Sequence, residues 1–215
     1  MTELVLHGYW RSSAAYRVRI ALNLKGIPYR QISHDLRSGE QRFEAYLAVS
    51  PHGMVPALQY GDLVLIESPA ILEWIESKWP EPSLLPGGQD EVAIIRSMAA
   101  LIGCDVHPLN NLRVLSTLRS AFDATDEQVQ AWIHRWIDEG FSALEKIIAL
   151  RGGRFAFGDV PTLADCYLVP QVYSARRFFA DLGSYPRLVA AADAAGELPA
   201  ILQAHPNFQP DADQR

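Results

Sequence analysis

The chain is short of cysteine, of long apolar runs and of positive charge. Two of its 215 residues are cysteines, Cys104 and Cys166. They lie far apart in helical patterns and read as small buried hydrophobes in a reducing compartment rather than as a disulfide scaffold. No apolar run approaches the roughly 20 residues that a helical membrane span needs. The opening MTELVLHGYW lacks a basic region followed by an apolar core, so no secretory signal is expected. Nineteen lysines and arginines face 25 aspartates and glutamates, a net charge of −6. That balance argues against nucleic acid or an anionic membrane as partner. A cytoplasmic protein is the expectation, and no internal repeat or low-complexity segment interrupts the chain.

What is present is a well-cored composition, 49% hydrophobic and 20% charged, long enough for one large domain or two small ones. Leu4 to His7 reads as a strand. A helical pattern follows, with Val18, Ala21, Leu22 and Leu24 on its buried side and Lys25, Gly26 and Pro28 closing it. With Pro28 to Ser33 as a second strand, this is a βαβ unit whose strands run parallel. Gly39 to Ala48 reads as a short helix and Met54 to Tyr60 as a strand holding Pro56. Leu63 to Ile66 is that strand's hairpin partner. A cis Val55–Pro56 bond would reconcile proline with a strand; an edge position is the alternative. Ser68 fits the N-cap and Pro69 the first position of a helix to Trp79. The run PEPSLLPGG marks a linker. Beyond it the pattern is helical: Asp90 to Phe122 kinked at Pro108, Asp126 to Leu150, and a helix to about Ala180 opened by a Thr162–Asp165 capping box. Two shorter helices and a polar, frayed tail from Asn207 complete it. The expected domains are an α/β unit at 1–81, a linker at 82–90 and an all-helical unit at 91–215.

The chemistry-bearing residues begin between Tyr9 and Leu24. Ser12 or Ser13 fits a helix N-cap, and helix N-termini favour anions through free N–H groups and aligned dipoles. A hydroxyl there suits a thiolate, which a ligand must bring because no cysteine lies nearby. An ordinary cap is the simpler account of these two serines alone. The helix start at Ser68, beside Glu67, suits a zwitterionic group, carboxylate on the Ser68 N–H and ammonium on Glu67. A plain cap with an acidic neighbour is the alternative. A cis proline would leave the Val55 backbone to pair with an extended ligand. His107 and Asn111 are four apart and share a helical face. His107 alone also suits carbonyls freed by Pro108. Cys104 and His107 are too few ligands for a metal.

The element order, together with several runs, resembles the glutathione transferases over nearly the whole chain, and their zeta class in particular. The runs are Arg11-Ser12-Ser13, Arg17 to Leu22 (RVRIAL), Val55-Pro56, Glu67-Ser68, Gly103 to Asn111 (GCDVHPLNN), Thr162 to Val172 (TLADCYLVPQV) and Ala175 to Phe178 (ARRF). The resemblance implies a thioredoxin-like α/β N-terminal domain, an all-α C-terminal domain and a two-fold homodimer. It implies glutathione as cofactor, bound by Ser12, His52, Val55, Pro56, Glu67, Ser68 and His107. It also implies cis–trans isomerisation of a maleyl keto-acid, maleylpyruvate or maleylacetoacetate, in aromatic compound breakdown. Ser12, with Ser13 as alternative, would activate the thiol. Arg11, then Arg177, and more weakly Arg176, would hold substrate carboxylates beside His107 and Asn111. Where the family's run reads Ser-Ser-Cys-Ser-Trp-Arg, this chain has Ser12-Ser13-Ala14-Ala15-Tyr16-Arg17, so no protein thiol stands at the site. Other outcomes of the resemblance are a general transferase or peroxidase for small acidic electrophiles, or a non-catalytic binding module.

Overall fold

The computed structural model describes residues 2–213. It divides into two compact units: the chain up to Leu84 joined by the stretch from Glu197 on, and Leu85–Gly196.

The first unit is built on β1 (Leu4–Gly8), every residue of which is buried. That burial fits an interior strand. The sheet runs β2-β1-β3-β4, with β2 at Arg30–Ser33, β3 at Ala57–Tyr60 and β4 at Leu63–Ile66. β1 is parallel to β2, with His7 opposite Ile32, and antiparallel to β3, with Leu6 opposite Leu58. β3 and β4 form the expected hairpin. The helices are α1 (Ser13–Leu24), the single turn α2 (Glu44–Leu47) and α3 (Ser68–Lys78). Leu4, Leu6 and Leu58 from the sheet meet Val18 and Leu22 of α1 and Ile71 and Ile75 of α3. Each such buried side chain contributes about 2 kcal/mol.

Three local expectations are corrected here. The helix expected over 39–48 is split into a 3₁₀ turn at Glu40–Arg42 and the turn α2, because Phe43 between them is extended, at φ −70° and ψ 143°. β3 begins at Ala57 rather than Met54, since Val55–Pro56 is cis and Pro56 has no N–H to give a ladder. The N-cap of α3 is Glu67, and Ser68 lies inside the first turn. Lys25 also does more than end α1. It is buried, its Nζ donates to the carbonyls of Trp79 (2.6 Å) and Pro82 (2.8 Å), and it pairs with Glu76 at 2.7 Å.

The second unit contains α4 (Gln89–Ala100), a π-helical turn (Leu101–Val106), α5 (Leu112–Phe122), α6 (Asp126–Arg151), α7 (Leu163–Arg177) and α8 (Pro186–Gly196). The long helix expected over 90–122 is broken, not kinked. The wide turn packs against α6 at Gly140, where a Cβ would overlap Val106. Cys104 is exposed on that turn, contrary to expectation, while Cys166 is buried. α7 stops at Arg177, short of Ala180, and Phe179 follows at φ 56°. No helix among the described residues is long and apolar enough to cross a membrane.

The tail expected to fray is ordered through Asp213. α9 (Pro199–Ala204) packs on α1, a 3₁₀ turn covers Pro206–Phe208, and Asp211 and Asp213 accept bonds from Trp10 and Arg37. These final elements belong to the first unit, not to the helical stretch they follow.

The capping box of α7 is present and sealed. Asp165 is fully buried and accepts from the Thr162 N–H (2.8 Å), the Thr162 hydroxyl (3.1 Å) and the Ala156 N–H (2.9 Å). Burial outweighs these bonds and pushes its pKa up to about 6 from 3.8. A carboxyl whose folded pKa is raised adds stability below about pH 4 that is lost as pH rises through about 6. Asp165→Asn, which cannot titrate, is therefore expected to be more destabilising at pH 4 than at pH 7, by about 2 kcal/mol at 1.36 kcal/mol per pKa unit. Urea unfolding of both proteins across that range measures it; a pH-independent difference refutes the burial effect.

Candidate active site

The turn Tyr9–Ser12 joins β1 to α1 and is closed by the Ser12 N–H on the Tyr9 carbonyl at 3.0 Å. Ser12 is the N-cap: its Oγ accepts the Ala15 N–H at 3.2 Å. The cap uses one of the two lone pairs of a half-exposed serine and leaves its O–H able to donate, beside the positive end of α1. Ser13 is buried within the first turn. The two serines, open alternatives in the sequence, thus differ in access. Arg11 is half-buried with its guanidinium 5.2 Å from the centre of the Trp10 ring. Ala14 carries no polar group.

The cis Val55–Pro56 bond lies just before the β3 ladder, so both residues stand outside the register. Val55 packs with Tyr9, Trp10 and Tyr46, tying this segment to the turn before Ser12. The Met54 carbonyl is fixed by the Tyr46 hydroxyl (2.6 Å) and the Ser50 hydroxyl (3.1 Å). Gly53, at φ 63°, permits the tight approach, since a Cβ there would crowd Arg42 and the Gln41 carbonyl. His52 is exposed on the same turn.

At the other side of the unit, Glu67 turns the chain from β4 into α3 at φ 67° and ψ 115°. A non-glycine residue there stores roughly 1–3 kcal/mol, a strain that clusters at ligand clamps. Glu67 is exposed and Ser68 is buried. Arg17, buried on α1, donates to the Ser68 hydroxyl at 3.3 Å and so links the two helix starts.

The second unit holds the remaining four residues. Arg177 is exposed, its guanidinium 4.1 Å from the Phe178 ring centre. Arg176 pairs with Asp193 at 2.8 Å on the surface. His107 caps the π-helical turn, and Asn111 is the N-cap of α5, its side chain accepting the Arg113 N–H at 3.1 Å. Because residues 107–110 form turns rather than helix, the shared helical face expected for His107 and Asn111 does not exist.

Sequence reasoning missed a supporting layer in the first unit. Buried His7 lies 3.0 Å from His34 (Nδ1 to Nε2) and 2.7 Å from the Gln59 amide oxygen. His34 in turn packs on Tyr46, ring centres 4.1 Å apart. Burial, then the charge of His7, holds the His34 pKa below its usual value. Arg17 and Arg19 were visible only as charges inside an otherwise apolar helical run.

Comparison with known proteins gives the family. Residues 6–83 match the family description "Glutathione S-transferase, N-terminal domain" and residues 130–209 "Glutathione S-transferase, C-terminal domain". The chain belongs to the glutathione S-transferase family. It is 49% identical over 210 residues to maleylacetoacetate isomerase of Pseudomonas aeruginosa, covering 96% of this chain and 97% of that one. It is also 49% identical to a solved holo maleylpyruvate isomerase described as a zeta-class bacterial glutathione S-transferase. That match has a TM-score of 0.95 and covers 97% of this chain and 100% of the other. A maleylacetoacetate isomerase from Anaeromyxobacter dehalogenans, solved with glutathione bound in its active site, is 42% identical with a TM-score of 0.89, covering 99% of each chain.

Tyr46→Phe removes one of two donors on the Met54 carbonyl. It is expected to cost about 1 kcal/mol, read from urea unfolding; an unchanged midpoint means that Ser50 alone holds that carbonyl.

Proposed function

We propose that this chain is a glutathione-dependent cis–trans isomerase of the zeta class, converting maleylpyruvate or maleylacetoacetate to the fumaryl isomer. The observation that carries the site reading is the Ser12 hydroxyl: its oxygen caps α1 by accepting the Ala15 N–H, which leaves its proton to donate at a helix N-terminus. The residues present fit the peptide thiol. Val55 offers backbone groups that the ladder does not use, and the strained Glu67 and the start of α3 offer a carboxylate beside free N–H groups.

When bound, glutathione supplies a thiolate that adds reversibly to the maleyl double bond, which rotates as a single bond before the thiol leaves. Ser12 donates to the sulfur, and with the α1 N-terminus it favours thiolate over a thiol whose free pKa is about 8.5. Ser13 is the alternative donor. Val55 holds the cysteinyl backbone, with Pro56 fixing its direction. Glu67 and Ser68 take the γ-glutamyl ammonium and carboxylate, and His52 the glycine carboxylate. Arg11 and Arg177 bind substrate carboxylates and favour the charge that develops on them. Arg176 is the weaker choice, since Asp193 already pairs with it. His107 and Asn111 complete the substrate side, His107 also contacting the cofactor. A cytoplasmic homodimer is part of the same reading.

Purified protein assayed by ultraviolet absorbance with each keto-acid, with and without glutathione, tests the activity. The ratio of kcat/KM for the two chooses the substrate. Conversion of neither, with glutathione still bound, points instead to a general transferase. Ser12→Ala is expected to lower kcat by roughly 100-fold, the scale for one preorganised donor, with glutathione affinity changed far less. Equal losses count against the thiolate role. Arg177→Ala is expected to raise KM for the dicarboxylate roughly tenfold, the effect of about 1.4 kcal/mol; an unchanged KM removes Arg177 from the site.

A further inference from the structure

Trp10 sits inside the turn that ends at Ser12, and both of its backbone groups are held by charged side chains. Its N–H donates to Asp211 Oδ2 at 2.9 Å across 201 positions of sequence. Its carbonyl accepts from Arg19 Nη2 at 2.9 Å. Arg19 is 0% exposed, and its Nε donates to the Ala204 carbonyl at 3.0 Å. Both restraints therefore lead to the stretch from Glu197 on, one directly and one through a single guanidinium. Ala212 packs against the Tyr9–Trp10–Tyr46–Val55 cluster. Asp211 also accepts from Gln31 at 3.3 Å, and Asp213 accepts from Arg37 at 2.9 Å.

Where water reaches a peptide N–H it meets the need adequately, but Trp10 is buried. A carboxylate in its place means that a length of tail has been ordered, at a conformational cost of roughly 1–2 kcal/mol per residue. What the ordering fixes is direction. With both peptide groups of Trp10 held, its φ and ψ cannot swing, and the Ser12 hydroxyl two residues on keeps its aim. We infer that Asp211 and Arg19 are positioning residues for Ser12, and that the closing segment of the chain is a strap that sets how strongly this site favours thiolate. The inference rests on reading Ser12 as the hydroxyl that meets the sulfur.

The test uses full-length Asp211→Ala, Asp211→Asn and Ser12→Ala. Three quantities are read: amide hydrogen exchange at Trp10 without ligand, the pH titration of bound glutathione by thiolate absorbance, and glutathione affinity. Asp211→Ala is expected to speed exchange at Trp10. It should also lower the thiolate fraction at neutral pH by roughly threefold to tenfold, the scale of a sub-ångström misplacement, with affinity changed by no more than about twofold. Asp211→Asn keeps an oxygen for the Trp10 N–H and is expected to restore both readings. If Ser12→Ala shifts the titration and Asp211→Ala does not, the strap is refuted while the Ser12 reading stands. If Ser12→Ala leaves the titration unmoved, the Ser12 reading fails first and takes the strap with it. Joint loss of binding and thiolate that Asn does not restore marks Asp211 as merely structural and overturns the inference, as does an Asp211→Ala protein that does not fold.

Discussion

A guanidinium taken out of water has to be met by oxygen, or the chain loses several kcal/mol. α1 carries two of them, Arg17 and Arg19, on a helix enclosed on nearly every side. Their needs organise the first unit. Arg17 reaches the Ser68 hydroxyl and joins the start of α3 to α1. Arg19 reaches the Trp10 and Ala204 carbonyls, joining the turn before α1 to α9. The apolar core explains why the sheet and helices collapse together. The two arginines explain why they do so with the helix starts and the turn in fixed relation.

None of the parts of the site is unusual alone: an N-cap serine, a cis proline before a strand, an acidic residue opening a helix. Their combination is what carries chemistry. The N-cap bond that stabilises α1 also fixes the Ser12 oxygen at the helix start, where its O–H remains able to donate. The proline that shortens β3 frees Val55 from the ladder. Glu67 keeps a backbone angle that glycine would adopt without strain, and in return places a carboxylate at the mouth of α3. Each of these residues thus meets a structural need of the fold alongside the role proposed for it.

Much of this was legible because its signals are local. The βαβ order, the hairpin, the cis proline and the Thr162–Asp165 box each follow from residues within a few positions of one another. Where reasoning failed, the deciding interaction was distant or subtle. The polar run around Asp211 and Asp213 has the composition of a frayed end, and its order through Asp213 depends on partners at Trp10 and Arg37 that no window contains. The π-helical turn differs from α-helix by a single residue per turn, and Gly140, which makes room for it, lies on another helix. Ser68 looked like the cap because its side chain is suited to one; the backbone of Glu67 took the position instead. His107 and Asn111 lost their common face once the helix between them was found broken.

The return of α9 and the tail to the first unit also bears on how the protein is made. The helical unit, Leu85–Gly196, is continuous in sequence, whereas the sheet unit is assembled from both ends of the described chain. On a ribosome, the strands emerge first but cannot seat α9 against α1 until Pro199–Ala204 has been synthesised. The sheet unit is thus completed only after the helical unit has been made, with the Arg19 Nε meeting the Ala204 carbonyl at that stage, and the long-range closure that this demands is the slow kind of contact to form.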